Sequence, residues 1–220
     1  MSGPRAAAPR AYSGSPRIGK PIEARCTRIW WRRPVPSSAK TRLARGPDAR
    51  SVTVVSAGFA AYHAHMQRVH EAGEAAIDYA RKNGKRIMIL AGRPYHADPE
   101  IGHGIDKLAT SLGFVVVSED SVCHLAAKPE VQVLNQWTYH ARLYRAAEFA
   151  AENPDVELVQ LVSFGCGVDA ITTDEVRAIL ERRGKFYTQI KIDEITNLGA
   201  VKIRLRSLIG ALEEKNHGIC

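Results

Sequence analysis

The sequence lacks the short motifs that mark several common classes of enzyme. No G-x-G-x-x-G, no G-x-x-x-x-G-K-[S/T] and no G-x-S-x-G occurs in its 220 residues. This excludes a dinucleotide fingerprint, a P-loop and a serine nucleophile elbow. The four cysteines are far apart and form no C-x-x-C pair, which argues against a zinc ribbon, a self-contained iron–sulfur motif and a disulfide framework.

Acidic residues are scarce in the first part of the chain, and long apolar runs are absent from all of it. Residues 1–50 contain 12 Lys/Arg but only Glu23 and Asp48, whereas the remainder is nearly balanced. The basic excess therefore belongs to the N-terminal segment and does not indicate that the folded part binds nucleic acid. No run approaches the ~20 apolar residues of a membrane span. We expect no nucleic-acid partner, no membrane association and a cytoplasmic location.

The N-terminal segment is rich in Arg, Pro, Ser and Ala. Such a composition cannot bury enough apolar surface to order itself, so residues 1–56 are predicted to be a disordered basic tail. A transit peptide and a mis-assigned start remain as alternatives. Val52 to Val55 is predicted to be a short strand or an extended lead-in. The folded domain is expected over 57–214, with a frayed end at 215–220.

Short apolar runs alternate with helical periodicity along this domain. Runs that are bounded by turn residues are typical of strands buried on both faces, and helical crossovers between them indicate parallel pairing. The prediction is an α/β fold of three layers, with a mainly parallel sheet. Strands are predicted at 86–91, 114–118, 158–164 and 186–192, and helices at 60–82, 105–112, 135–151, 172–183 and 200–212. Thr172 and Glu175 are predicted to form the capping box of the fourth helix.

Polar residues crowd into the loop that follows the first strand. Because ligands of open parallel sheets bind at the carboxyl ends of strands, this loop is a candidate pocket. Its candidate residues are Arg93, Tyr95, His96, Asp98 and His103. Arg93 would suit a phosphate, through its bidentate guanidinium. The alternative is a rigid turn, which also uses Pro, Gly, Asp and His.

The other strand ends carry polar residues too. Glu119 and Asp120 could hold a cation or act in acid–base chemistry, or cap the following turn. Asn135 to His140 could bind a polar ligand, although we favour a structural role. Cys166 could be a thiolate, a metal ligand or an inert buried residue, and its flanking glycines, Gly165 and Gly167, would let a ligand approach closely.

Five long segments, taken together, resemble a known family. They are LAGRPYHADPEIGHGI, VVVSEDSV, NQWTYHARLY, ELVQLVSFGCGVDAITTDEVRAIL and KFYTQIKIDEITNLGAVKIRLRSLI. In this order they resemble the large acyl-CoA dehydratase activase-related proteins, multidomain relatives of the 2-hydroxyglutaryl-CoA dehydratase system. The resemblance covers about residues 71–212 and not residues 1–55.

The resemblance implies cofactors and partners. Members of the family combine ATPase activator modules with a region similar to the dehydratase subunits, which carry a cysteine-ligated [4Fe–4S] cluster. The activator uses ATP to drive one low-potential electron into the dehydratase, where water leaves a 2-hydroxyacyl-CoA through a ketyl radical. By this resemblance Cys166 is the candidate cluster and metal ligand, and Asp193 and Glu194 match an acidic pair before the last helix of that region.

This chain contains no ATPase module and too few cysteines for a complete cluster, which takes about four thiolates. Cys123 stands where serine is expected in the family and is not counted as a ligand. We therefore expect a C-terminal piece of a larger protein, an iron–sulfur electron-transfer component that is inactive alone. It would bind ATP only through the missing activator module, and its partners would be that module and dehydratase-like domains or subunits.

The alternative function is a binding module without redox chemistry. In this hypothesis the loops bind CoA, an acyl-CoA or a nucleotide, or they form a scaffold for a partner subunit or a homo-oligomer. A third hypothesis is a fragment without function, whose loop residues only satisfy one another. Such a fragment would expose apolar surface and self-associate.

Overall fold

The computed structural model of the chain describes residues 49–163, 167–192 and 197–216. The chain divides into two compact units, residues 1–56 and 57–220. Of the first unit only residues 49–56 are described, and they are helical. The described part of the second unit is an α/β fold around a four-stranded sheet.

All strand pairs in the sheet are parallel, which confirms the predicted fold class. The strands are β1 (Ile87–Ala91), β2 (Val115–Ser118), β3 (Val156–Val162) and β4 (Thr188–Lys191), in the order β2-β1-β3-β4. In the centre of the sheet Ile89 pairs with Val117 on one side and with Leu158 on the other. The order changes direction between β1 and β3, so this is the switch point where open α/β sheets bind ligands.

Helices cover both faces of the sheet. The described helices are α1 (Ala49–Lys82), α2 (Ile105–Ser111), α3 (Glu119–Val122), α4 (Thr138–Glu152), α5 (Gly167–Arg182) and α6 (Leu198–Asn216), with 3-10 turns at Pro94–Ala97 and Cys123–Leu125. One core cluster joins alternate residues of β1 and β3 to α1, α4 and α5, and a second joins the intervening residues to α2 and α6. Since alternate residues of a strand point to opposite faces, the two clusters define the predicted three layers.

The central strand β3 is buried at all seven positions, although two of them are polar. Glu157 lies 3.4 Å from the Lys185 ammonium and 3.7 Å from the Arg86 guanidinium. Lys185 also donates to the backbone carbonyls of Asn153 and Val156, each at 2.8 Å. Burial raises the pKa of Glu157 and lowers the pKa of Lys185, so desolvation outweighs the attraction for both groups. The polar groups at this amino-terminal edge of the sheet thus satisfy one another.

The N-terminal boundary of the first helix differs from the prediction. Val52 to Val55, predicted to be extended, lie inside α1, and the helix therefore begins before residue 60. The β-branched residues favoured a strand, but Val54 and Val55 are exposed, so no sheet face is available to bury them. Residues 1–48 of the predicted tail lie outside the described part of the chain.

Two further local predictions were wrong. Thr172 does not open a helix, because α5 already begins at Gly167 and the Thr172 hydroxyl donates to the carbonyl of Val168 within it. The Glu175 carboxylate instead accepts the backbone N–H of Gln132. Residues 119–122, where a turn was expected after the second strand, form the short helix α3. The last helix is capped at its start, where the Asn197 side chain accepts the N–H of Gly199 at 2.9 Å.

No helix in the described ranges has both the length and the apolar character needed to cross a membrane.

The central strand should dominate stability. Leu158 in β3 is 1 % exposed and belongs to the core cluster that includes residues of α4. Leu158→Ala should therefore lower the free energy of unfolding by about 2–5 kcal/mol. Ile203 on α6 is 68 % exposed, and Ile203→Ala should change it by no more than about 0.5 kcal/mol. Urea denaturation of both variants measures the difference, and equal losses would contradict this core.

Candidate ligand-binding and acid–base site

A cavity of about 270 Å³ opens at the carboxyl ends of β1 and β2, next to the switch point of the sheet. We call it the sheet-edge cavity. Its walls are the loop after β1, the first turn of α2, the end of β2 and the start of α3, with Leu161 of β3. The predicted pocket residues that line it are Arg93, His96, Asp98, Glu119 and Asp120.

His96 supplies the imidazole in the lining of this cavity and is 5 % exposed. Its Nδ1 accepts the backbone N–H of Arg93 at 3.0 Å. Burial lowers the pKa of His96, and the charge of Arg93 lowers it further, while Asp169 opposes them. The ring is therefore neutral near pH 7, and because Nδ1 is an acceptor the proton must be on Nε2. That Nε2 is buried and has no hydrogen-bond partner, so it is a donor that no group of the protein uses, on a residue that lines the cavity.

Gly92 explains why the ring of His96 can lie against the loop backbone. A Cβ at this position would collide with Nδ1 of His96 and would lie 3.2 Å from the Cβ of Leu161. Only glycine leaves room for the ring here. The Ala-Gly end of the apolar run is thus a steric requirement of the site.

Glu119 supplies the acid–base group of the cavity. Burial, and next the charge of Asp120, raise its pKa to about 7, while hydrogen bonds with the backbone of Glu119 and Gly92 and the charge of Arg142 act in the opposite direction. The Arg142 guanidinium is 3.8 Å away, too far to hold the carboxylate fully ionised. A carboxyl group with a pKa near 7 can both donate and accept a proton at physiological pH.

The loop after β1 is joined to the segment after β3. Nε and Nη2 of Arg93 both donate to Oδ1 of Asp169 in α5, at 3.1 and 2.9 Å. The Tyr95 hydroxyl lies 3.1 Å from the Ser163 hydroxyl. These contacts cross the switch point, and Arg93 meets a carboxylate there. A phosphate would have to compete with Asp169 for Arg93.

Several polar atoms near this ion pair are buried without a hydrogen-bond partner. They are Nε2 of His96, Nε2 of His140 and Oδ2 of Asp169. Asp169 and Arg93 act electrostatically on both imidazoles and on the Tyr139 hydroxyl, whose pKa is raised mainly by burial. Buried polar groups in folded proteins are normally satisfied, so this concentration of unsatisfied atoms marks a candidate functional site.

Two predicted pocket residues, Asp98 and Asp120, bond within their own segments, and two others do not line the cavity. Asp98 lines the cavity, but its carboxylate also accepts the backbone N–H groups of Glu100 and Ile101. Asp120 accepts the Ser118 hydroxyl. His103 has a left-handed backbone (φ 48°) and does not line the cavity. Tyr95, like His103, does not line the cavity. The alternative of a rigid turn therefore describes part of the loop after β1.

Four predicted site residues lie outside the described part of the chain: Gly165, Cys166, Asp193 and Glu194. Gly167 is described and forms the exposed first residue of α5. The roles proposed for these residues stay predictions.

Sequence reasoning missed Asp169 and underrated His140. Asp169 stands in the Gly-Cys-Gly-Val-Asp stretch at a strand end, a signal that could have marked it as a partner for Arg93. His140 was assigned a structural role with its neighbours, yet it is 8 % exposed with an unsatisfied nitrogen. No pattern in the sequence marked Ser163 as a site residue, because its contact with Tyr95 joins residues that are 68 positions apart.

The described residues do not fit the [4Fe–4S] cluster that the family resemblance implies. Among the described residues the cysteine is Cys123, which is free and 7 % exposed. Burial raises the pKa of Cys123, so its side chain is a protonated thiol. Its Sγ contacts the carbonyl of Asp120 at 3.7 Å. Within the described ranges no three His, Cys, Asp or Glu residues are grouped so that they could hold a metal ion.

A comparison with protein families identifies the first half of this site. Residues 39–122 match a family described as the CoA enzyme activase uncharacterised domain. The match supports the resemblance of this chain to the acyl-CoA dehydratase activase-related proteins. The matched range includes β1, β2, α3 and the loop with Arg93 and His96. It begins at residue 39, inside the segment predicted to be a tail. Neither the curated proteins nor the solved structures gave a match to this chain.

Stability should depend on pH through Glu119. Its pKa is about 7 in the folded chain, against an ordinary value of 4.5. The unfolded chain thus ionises first as pH rises, and the stabilisation present below about pH 4.5 is lost progressively up to about pH 7, by about 3 kcal/mol. The Glu119→Gln variant has no carboxyl group to ionise, so it does not lose this stabilisation as the pH rises. The free energy of unfolding of the variant, relative to that of the wild type, should therefore rise between pH 5 and 8.

Urea denaturation at several pH values measures that difference. Glu181→Gln is the matched control, since Glu181 is an exposed glutamate on α5. A difference between Glu119→Gln and the wild type that stays constant from pH 5 to pH 8 would contradict the assignment.

Proposed function

We propose that this activase-related chain is an acyl-CoA-binding component of an acyl-CoA dehydratase system, and that the sheet-edge cavity binds the acyl head of the thioester. The observation that carries the proposal is the pairing of two groups in one cavity. His96 offers a neutral, buried Nε2–H, and Glu119 has a pKa of about 7. Both lie in the region that matches the CoA enzyme activase family.

The two groups suit the two polar ends of such an acyl head. The Nε2–H of His96 would donate to the thioester carbonyl, because a neutral donor polarises a carbonyl without carrying a charge into the cavity. Glu119 would bind a hydroxyl of the acyl group and hold or release a proton there. Leu90, Ile105 and Val116 give the apolar part of the lining.

The size of the cavity limits what it holds. The volume of about 270 Å³ is slightly below the range of about 300–1,000 Å³ that is typical of small-molecule sites, so the cavity suits a short acyl head and not the whole of coenzyme A. In this proposal Arg93 does not bind a phosphate of coenzyme A. Its ion pair with Asp169 instead holds the loop after β1 in place. The nucleotide part would lie outside the cavity, and the dehydratase components expected as partners would approach the same edge.

Binding by His96 is testable with a near-isosteric variant. In His96→Asn the side-chain oxygen can still accept the Arg93 N–H, but the Nε2–H is lost. Because one neutral hydrogen bond contributes about 0.5–1.5 kcal/mol, the affinity for 2-hydroxybutyryl-CoA should fall about three- to tenfold. Isothermal titration calorimetry gives the affinity, and CoA alone should bind more weakly than the thioester.

His65→Asn is the matched control, because His65 is exposed on α1. It should bind the thioester as the wild type does. Equal affinities of His96→Asn and the wild type, or no binding of thioesters at millimolar concentration, would exclude this function. Urea denaturation of the same samples establishes that the variants are folded.

Electron transfer through an iron–sulfur centre is the second candidate function. The observation that favours it is the place of Cys166 in the chain, between Ser163 and Gly167, two residues at the carboxyl edge of the sheet. Since the described residues supply no further ligand set, other thiolates would have to come from a second copy of the chain or from a partner.

Iron content tests the second candidate. We expect iron and acid-labile sulfide in anaerobically purified protein, and their loss in Cys166→Ser. Cys123→Ser should retain both, because Cys123 is a buried thiol that contacts a backbone carbonyl. Iron absent from the wild type, or unchanged in Cys166→Ser, would exclude Cys166 as a ligand and leave the binding function alone.

A further inference from the structure

A second cavity, of about 250 Å³, lies between α4, α5 and the segment that leads into α4. We call it the α4–α5 cavity. It shares no lining residue with the sheet-edge cavity. Its lining includes Leu134, Trp137, His140, Tyr144, Ile171 and Thr172. Nothing in the family match covers it, since that match ends at residue 122.

The rim of this cavity is unusually apolar for an exposed surface. Leu134 is 80 % exposed, Trp137 is 54 % exposed and Ile171 is 50 % exposed. Single exposed hydrophobic side chains are common on proteins, but three large ones around one cavity indicate a binding site. A ligand that covers them removes apolar surface from water, which favours binding.

His140 lines this cavity and carries a buried polar atom that the fold does not use. Nε2 of His140 is buried and has no hydrogen-bond partner. The ring is fixed, with its centroid 5.2 Å from the Trp137 ring and 4.7 Å from the Tyr139 ring. The hydroxyl groups of Thr172 and Tyr144, which also line the cavity, have partners. Thr172 donates to the Val168 carbonyl, and Tyr144 interacts with Thr172.

The described lining residues carry no formal charge besides the titratable His140. Burial lowers the pKa of His140, and the charge of Arg93 also lowers it, so the ring is neutral near pH 7. A neutral imidazole nitrogen is either a donor or an acceptor, and a hydroxyl group can complement both. The lining therefore selects against an ionised ligand and favours one with a hydroxyl.

The volume sets the size of the ligand. An apolar cavity of ~150 Å³ is enough to bind benzene, and the α4–α5 cavity is larger. We propose that the α4–α5 cavity binds an uncharged monocyclic aryl or branched alkyl group that carries one hydroxyl, with the hydroxyl on Nε2 of His140 and the ring between Trp137 and Ile171. This site is independent of the proposed function of the sheet-edge cavity.

Three probes of similar size test the proposal on the full chain: phenol, toluene and benzoate. Saturation-transfer NMR titrations should show millimolar binding of phenol. Toluene lacks the hydroxyl and should bind about three- to tenfold more weakly. Benzoate should bind at least tenfold more weakly than phenol, because a carboxylate would lose its hydration without gaining a cation.

Two variants locate the binding. His140→Phe keeps a planar ring but has no nitrogen, so phenol and toluene should bind it with equal affinity. Ile171→Glu places a charge at the exposed rim and should weaken phenol at least tenfold. Ile203→Glu, at an equally apolar and exposed position on α6, is the matched control and should leave phenol binding unchanged.

Each remaining outcome contradicts the site. Equal binding of the three probes to the wild type would indicate a non-specific apolar surface. No binding of phenol, or phenol binding that Ile171→Glu and Ile203→Glu weaken equally, would also overturn the proposal. If His140→Phe does not fold, Ile171→Glu and the preference for phenol over toluene decide alone.

Discussion

The ion pair between Arg93 and Asp169 is the constraint on which the carboxyl edge of the sheet depends. It joins the loop after β1 to the first turn of α5, across the point where the strand order changes direction. The carboxylate is 8 % exposed. A buried pair contributes little net stability, because desolvation offsets the attraction, but losing one partner leaves a buried charge. The pair therefore fixes the position of the loop, and the backbone N–H of Arg93 in turn orients His96.

The two edges of the sheet treat buried polar groups in opposite ways. At the amino-terminal edge, Glu157 and Lys185 bond to each other and Lys185 also meets backbone carbonyls. At the carboxyl edge, His96, His140 and Asp169 each retain an unsatisfied atom. Unsatisfied buried atoms cost about 1–3 kcal/mol each. Their grouping near the Arg93–Asp169 pair supports a site that binds ligands at this edge, and the two cavities offer chemically different surroundings to those ligands.

How far the sequence could be interpreted depended on whether each feature was local. The buried strands follow from short apolar runs, and the carboxyl-end position of Glu119 follows from the strand before it. The start of α5 was missed because the Thr172 and Glu175 pattern fits a capping box, while the helix begins five residues earlier, at Gly167. The extended prediction for Val52 to Val55 failed because β-branched residues form strands only where a sheet face buries them.

By itself the sequence determined the α/β class, the parallel pairing, the resemblance to the activase-related proteins and the polar loop at the end of β1, because hydrophobic periodicity and contiguous motifs are properties of neighbouring residues. The tertiary structure alone decided the strand order, the protonation of His96 and the raised pKa of Glu119. It also decided which side chains meet: Arg93 and Asp169 are 76 positions apart. Pairing over such a separation, and the burial that shifts a pKa, arise only when distant segments pack, and no local pattern in the chain encodes them.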